Sequence, residues 1–214
     1  MWNQRYAESV YVYGTTPNDF YKKELDKLTP GKILLPAEGE GRNAVYAAEL
    51  GWRVCAFDQS EEGKKKALRF AKERNVSIEY MIKDLDHIDY PADQFDAIGL
   101  VFVHLPGAGR RAIHRNIIRY LKPGGTLILV GFSKEQLPFN SGGPKDLAWL
   151  FSKEELIEDF IDLQIISLTQ METMIEEGEF HNGPASVIQL VAKKQVNLRY
   201  KTRSGQIRFA KLPG

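Results

Sequence analysis

Residues 32–36, KILLP, form an apolar run that empties into Gly39-Glu40-Gly41-Arg42-Asn43-Ala44. A helical pattern follows over 42–50, then a second apolar run over 52–57, with Asp58 at its end. Short apolar runs joined through helices argue for βαβ units and a parallel sheet covered on both faces. The turn matches G-x-G-x-x-G/A, and Asp58 stands at the spacing of an acid that holds a ribose. Strand, glycine turn, helix, strand and terminal acid together predict an adenosine-type nucleotide at the sheet's C-terminal edge. A purely structural role for Asp58, such as capping, is the competing reading.

The alternation continues along the chain. Helices are predicted at 60–74, 107–121 and 152–160, and strands at 77–82, 95–102 and 125–132. The last two strands fall near 161–172 and 185–192, separated by the turn-rich EEGEFHNGPA, which fits an antiparallel final strand. Ahead of this core, residues 1–30 hold Tyr6, Tyr11, Tyr13 and Tyr21, the turn YGTTPN and a predicted helix over 17–28. The expected division is an N-terminal lid over 1–30, a nucleotide-binding core over 31–193 and a basic extension over 194–214. That extension has Arg199, Lys201, Arg203, Arg208 and Lys211 after Lys193 and Lys194, and no acid occurs beyond Glu179. It reads as a solvated tail, as an extra strand against a partner subunit, or as a nucleic-acid contact.

A chain of 214 residues with 43% hydrophobic and 27% charged residues suits one soluble domain with a sizeable core. The net charge of +1 gives no global pull toward nucleic acid or membrane. Cys55 is the sole cysteine and lies in an apolar run, so it reads as an inert core thiol. No stretch reaches the roughly 20 apolar residues of a membrane helix, and MWNQRYAESV lacks a secretory apolar run. The expectation is a cytoplasmic protein that binds no metal, acts on a small molecule and forms a possible homodimer.

Which nucleotide the turn serves is a question of charge. A dinucleotide sets a diphosphate on the helix N-terminus, and Glu38 and Glu40 would then face it. A like-charge pair at ~4 Å costs roughly 4 kcal/mol at an effective dielectric of about 20. S-adenosylmethionine has no phosphate and carries a sulfonium and an ammonium, which an acidic turn favours. An NAD-dependent oxidoreductase is disfavoured on the same ground.

The residues EGEGRNAVYAAELGWRVCAFDQS, FDAIGLVFVHLP and LKPGGTLIL together resemble the class I S-adenosylmethionine-dependent methyltransferases. More narrowly, they resemble the small tellurite-resistance type and its thiol-methylating relatives, over about residues 5–193. The resemblance implies a Rossmann-like three-layer sandwich with a seven-stranded, mostly parallel sheet and an antiparallel last strand. It implies that Gly39 and Gly41 approach the methionine part, Asp58 holds the ribose, and Asp84 and Leu85 meet the adenine, with Glu38, Arg42, Asn43 and Gln59 also among the cofactor-binding residues. Residues 101–104, Val101 first, would line the methyl-transfer side. Two positions depart from the family pattern: Leu35 replaces an acid and Ala37 a glycine. The donor's ammonium must then find another partner, Glu38 or a carbonyl near Val101.

Methyl transfer is an in-line displacement whose demands are alignment and exclusion of water. The acceptor side gathers Tyr13, His104 and His181 as pocket candidates, because topology returns all three to the same sheet edge. His104 equally suits a bond to a helix N-terminus. His181 equally suits an exposed turn, although EFHNG resembles the histidine-bearing hairpin of the tellurite-type enzymes. Arg110, Arg111, Arg115 and Arg119 read as a solvated helix face. The substrate class read from all this is a soft nucleophile: a thiol, or a selenium or tellurium species. The alternatives are an oxygen or nitrogen of another small metabolite, and an RNA-associated modifier using the basic tail.

Overall fold

Alternate residues of each central strand enter different cores, which dictates the layered architecture. In the computed structural model, which describes residues 2–8, 10–201 and 207–211, Ile33 and Leu35 of β1 (Lys32–Pro36) face one apolar cluster and Leu34 the other. In β2 (Arg53–Asp58), Val54 and Ala56 part from Cys55 and Phe57 in the same way. This period of two is what a strand buried on both faces requires.

The first cluster is closed by α2 (Asp19–Leu25), α3 (Arg42–Glu49) and α4 (Glu61–Glu73), through Tyr21, Leu25, Val45, Ala67 and Phe70. The second is closed by α5 (Gly107–Arg119) and α6 (Lys153–Asp159), through Ile117, Ile118 and Leu156. The remaining strands of the sheet are β3 (Glu79–Ile82), β4 (Phe95–Val101), β5 (Leu121–Phe132), β6 (Leu163–Glu176) and β7 (Asn182–Lys194). Their order is β3-β2-β1-β4-β5-β7-β6. Strands one to five are parallel, while β7 runs antiparallel to both β5 and β6. The three-layer, seven-stranded fold expected from the sequence is the one observed.

Several bounds shift for local reasons. Helix α2 starts later than expected because Asn18 caps it, its side chain accepting from Tyr21 N. Strands β6 and β7 run well past their expected ends and pair from Leu163↔Lys194 to Glu176↔Asn182, so their hairpin rises beyond the edge of β5. A short helix, α1 (Trp2–Tyr6), lies in a stretch where the sequence suggested only aromatic residues. The arginines of α5 do not all face solvent. Arg110 is buried and pairs with buried Asp159 of α6 at 2.7 Å. Lys194 is also engaged, with Asp93 at 2.9 Å and the Leu121 carbonyl at 2.7 Å. The extension pairs as a hairpin of β8 (Asn197–Lys201) and β9 (Ile207–Lys211). Arg203 and the side chains of Arg199, Lys201, Arg208 and Lys211 lie outside the described residues.

Candidate active site

Parallel strands end together at one edge, and the loops leaving β1, β2, β3 and β4 there build the site. After Pro36 the chain turns through Ala37, held at φ 49°. A left-handed conformation costs a side-chain-bearing residue about 1–2 kcal/mol, which is why a glycine suits this position in the family pattern. Gly39 and Gly41 follow at φ 60° and 89°. A Cβ on Gly39 would stand 2.7 Å from Tyr6 Oη, and one on Gly41 2.6 Å from the Ala67 Cβ. The turn is thus packed between α4 and the N-terminal segment, and neither glycine has room for a side chain.

The two acids of the turn do not face outward as a cation-binding pair. This corrects the charge argument made from sequence. Glu40 Oε1 pairs with Lys66 Nζ at 2.6 Å, and its Oε2 accepts from Val12 N at 2.7 Å. Its charge is neutralised inside the protein. Glu38 turns back onto the start of α3, where one oxygen accepts from Asn43 N and Ala44 N, both at 2.8 Å. Burial pushes its carboxyl up to about 7, against the lowering pull of those donors and of Arg42. The amides that would hold a pyrophosphate are therefore taken by the chain's own carboxylate. The dinucleotide is disfavoured by occupancy more directly than by repulsion.

Asp58 sits beside this turn, its Oδ2 accepting from Gly39 N at 3.1 Å and its Oδ1 from Ser60 N at 2.9 Å. Each carboxylate oxygen keeps a second lone pair, enough to receive two ribose hydroxyls. Burial raises the Asp58 carboxyl while the amides of Ser60, Gly39 and Gln59 pull it down. Gln59 and Asp84 are exposed at the same edge and Leu85 is partly buried. The register of β2 and β3 sets Asp58 opposite Ile82, and the Asp58 carbonyl accepts from Lys83 N at 3.0 Å. The structure thus brings Gly39, Asp58, Gln59, Asp84 and Leu85 to one rim. Val101 closes β4 nearby, and Phe102 follows it at φ 53°. A bulky residue in that region is strained, and such strain gathers at ligand sites.

Arg42 and Asn43 are knitted into the protein. Arg42 Nη2 pairs with Glu177 Oε2 at 2.7 Å, and its Nη1 donates to the Tyr13 carbonyl at 3.2 Å. Asn43 Oδ1 accepts from Asn18 N at 3.0 Å, and Asn18 Nδ2 donates to Glu177 Oε1 at 2.6 Å. One network therefore binds the glycine turn, the N-terminal segment and the β6–β7 hairpin. Glu177 is its centre, held ionised at about 2 by His181, Arg42 and Asn18 despite burial. Sequence reasoning missed Glu177; its only signal was its place four residues before His181.

Of the residues predicted for the acceptor side, Tyr13 and His181 meet, their rings 4.6 Å apart. His181 also packs on Phe102 at 4.5 Å and on Phe132 at 5.1 Å. Its Nδ1 lies 3.4 Å from Glu177 Oε2, and its Nε2 has no hydrogen-bond partner among the described residues. Burial holds its pKa below the ordinary value, opposed by Glu177 and assisted by Arg42 and Arg5. His104 meets this group through Phe132, on whose ring it stacks at 5.7 Å. Its Nδ1 is 2.8 Å from the Trp149 carbonyl, and its Nε2 accepts from Phe132 N at 3.1 Å. Both nitrogens are spent on backbone, which fixes the ring as neutral, and burial pushes its pKa down to about 4. Cys55 is as inert as expected, its thiol pushed up to about 11 by burial and Glu79.

Residues 33–125 match a family model described as a methyltransferase domain. TehB of Haemophilus influenzae, a probable S-adenosyl-L-methionine-dependent methyltransferase, is 24% identical over 156 residues, 72% of this chain and 51% of its own length. The chain thus spans about half the length of the curated relatives it matches. The crystal structure of that TehB superposes with a TM-score of 0.68 at 18% identity, covering 90% of this chain and 65% of TehB. A structure from work on converting a disulfide bond into a thioacetal group during echinomycin biosynthesis gives 0.73 at 16% identity, covering 90% of this chain and 87% of that one.

Proposed function

We propose that this chain, which carries a class I methyltransferase domain with S-adenosylmethionine as its cofactor and resembles TehB, methylates a small, soft nucleophile. The acceptor read from the sequence is a thiol, or a selenium or tellurium species. The observation that carries the reading is Glu38 on the first amides of α3, beside an Asp58 with lone pairs to spare. A helix start closed by a carboxylate has no place for a diphosphate, while the neighbouring acid still suits a ribose.

The chain's own groups divide the work. Asp58, Gln59, Asp84 and Leu85 hold the nucleoside at the rim. Tyr13, Phe102 and Phe132 close an aromatic wall around His181, which excludes water and offers ring faces to a sulfonium. When bound, S-adenosylmethionine would supply the methyl group to the acceptor, its sulfonium becoming a neutral thioether. A soft anion needs no base. Residues 31–193 form the proposed donor-binding core and 1–30 its lid. The structure from work on converting a disulfide bond into a thioacetal group lends support to a sulfur acceptor by likeness of fold. No helix among the described residues is long and apolar enough to cross a membrane, and a cytoplasmic enzyme is the proposed setting. One observation favours a second acceptor class. His181, with Nε2 uncommitted, suits taking a proton from a hydroxyl or an amine.

Titration calorimetry with S-adenosylhomocysteine and with NAD tests the cofactor. Binding of the first alone is expected; binding of NAD alone overturns the proposal. A radiolabelled donor offered with thiols, selenite, tellurite, phenols and amines then separates the acceptor classes.

A further inference from the structure

Around the acceptor side the charges are nearly all paired. Arg42 is matched by Glu177, Lys66 by Glu40, and His181 is held toward its neutral form. Arg5 is the exception. It makes no ion pair among the described residues, and its one hydrogen bond runs from Nη1 to Tyr13 Oη at 3.0 Å. Its guanidinium is held over the Trp2 ring at 4.9 Å and the Phe180 ring at 4.8 Å. Stacking of this kind fixes the plane of the fork while leaving its edges open. An arginine has five N–H donors, so most of them meet no acceptor among the described residues. Tyr13 accepts from Arg5 and has no acceptor of its own among the described residues, so its hydroxyl proton is free to donate to the same point. That hydroxyl belongs to the ring that packs on His181.

We infer that Arg5 and Tyr13 form an anion-recognition site that selects acceptors carrying a negative charge. The suitable ligands are a thiol with a carboxylate one or two carbons away, or a metalloid oxyanion. A stacked guanidinium with an adjacent hydroxyl recognises planar oxyanions by charge-assisted, directional bonds. With Arg42 paired to Glu177, Arg5 is the cation beside Tyr13 that has no ion-pair partner among the described residues, so a neutral acceptor gains nothing from it. This deepens the proposed function and rests on it.

The test uses the full chain loaded with S-adenosylhomocysteine and titrated with mercaptoacetate and with 2-mercaptoethanol. The intact protein should bind mercaptoacetate about tenfold more tightly, as one desolvated charge-assisted contact implies. Arg5→Met should erase that preference, Arg5→Lys should keep part of it, and the affinity for S-adenosylhomocysteine should stay unchanged in both. Equal binding of the two thiols by the intact protein, or a preference that survives Arg5→Met, overturns the inference. Should Arg5→Met fail to fold, Tyr13→Phe removes only the hydroxyl and should weaken mercaptoacetate binding selectively; an unchanged preference there also overturns it. Failure to bind S-adenosylhomocysteine at all would instead count against the proposed function.

Discussion

Glu40 offers the sharpest test of the corrected electrostatics, because sequence reasoning gave it a ligand and the structure gives it a lysine. Its side chain is 3% exposed and that of Lys66 8%, at 2.6 Å. The remaining oxygen accepts from Val12 N, and Lys66 Nζ donates to the Val10 carbonyl at 2.7 Å. Glu40→Ala therefore strands a buried ammonium with one carbonyl and leaves the Val12 amide without its acceptor. Breaking a buried pair costs about 3–5 kcal/mol, and an orphaned amide about 1–3 kcal/mol, partly the same loss. A total near 4 kcal/mol is expected. At about 2–4 °C per kcal/mol for a chain of this size, Tm should fall by roughly 8–16 °C. Replacing both partners, as Glu40→Met with Lys66→Met, removes the stranded charge and should recover most of that loss. Urea unfolding followed by circular dichroism measures all three. A loss under about 1 kcal/mol for Glu40→Ala, or a double variant no better than the single, would refute the reasoning. So would a variant of normal stability that no longer binds S-adenosylhomocysteine, since that would make Glu40 a donor contact after all.

Buried Glu38 and half-buried His104 should write opposite slopes into the pH dependence of stability. Glu38, raised from 4.5 to about 7, keeps a proton in the folded chain that the unfolded chain has released. Its contribution makes stability fall as pH rises through that window, by up to about 3 kcal/mol, and in denaturant titrations Glu38→Gln removes that contribution. His104, lowered from 6.5 to about 4, takes up a proton on unfolding. Its contribution therefore makes stability fall as pH drops across that interval, by a similar amount, and His104→Gln removes it, leaving the opposing Glu38 slope. Where the windows overlap the wild type should be nearly flat, so each single variant exposes the other's slope. Asp58→Ala should weaken S-adenosylhomocysteine binding by about 10²- to 10⁴-fold by calorimetry, from the loss of two bonds to an ionised acceptor at about 1.5–3 kcal/mol each; an unchanged affinity would leave Asp58 only the amides of Gly39 and Ser60.

The order of the core elements was legible because each central strand is a short apolar run and each covering helix has its own period. Those patterns are local, so β1, β2 and β4 fell within a residue of their observed ends. The glycine turn was legible for the same reason, since only a residue without a side chain fits against Tyr6 and Ala67. What misled was charge. Glu38 and Glu40 are adjacent to the site in sequence, but a carboxylate's partner is chosen in space. Lys66 lies on the next helix, and Val12 comes from the N-terminal segment. The bonds of His104 were illegible likewise, because nothing near it in sequence announces that Trp149 and Phe132 will take both its nitrogens.

The sequence by itself determined where strands, helices and the nucleotide turn would form, because periodicity and the absence of a Cβ act within a few residues. The tertiary structure alone decided which charges remain unspent. Pairing depends on distance and burial across elements far apart in the chain, as Glu177 with Arg42 and the lone Arg5 show.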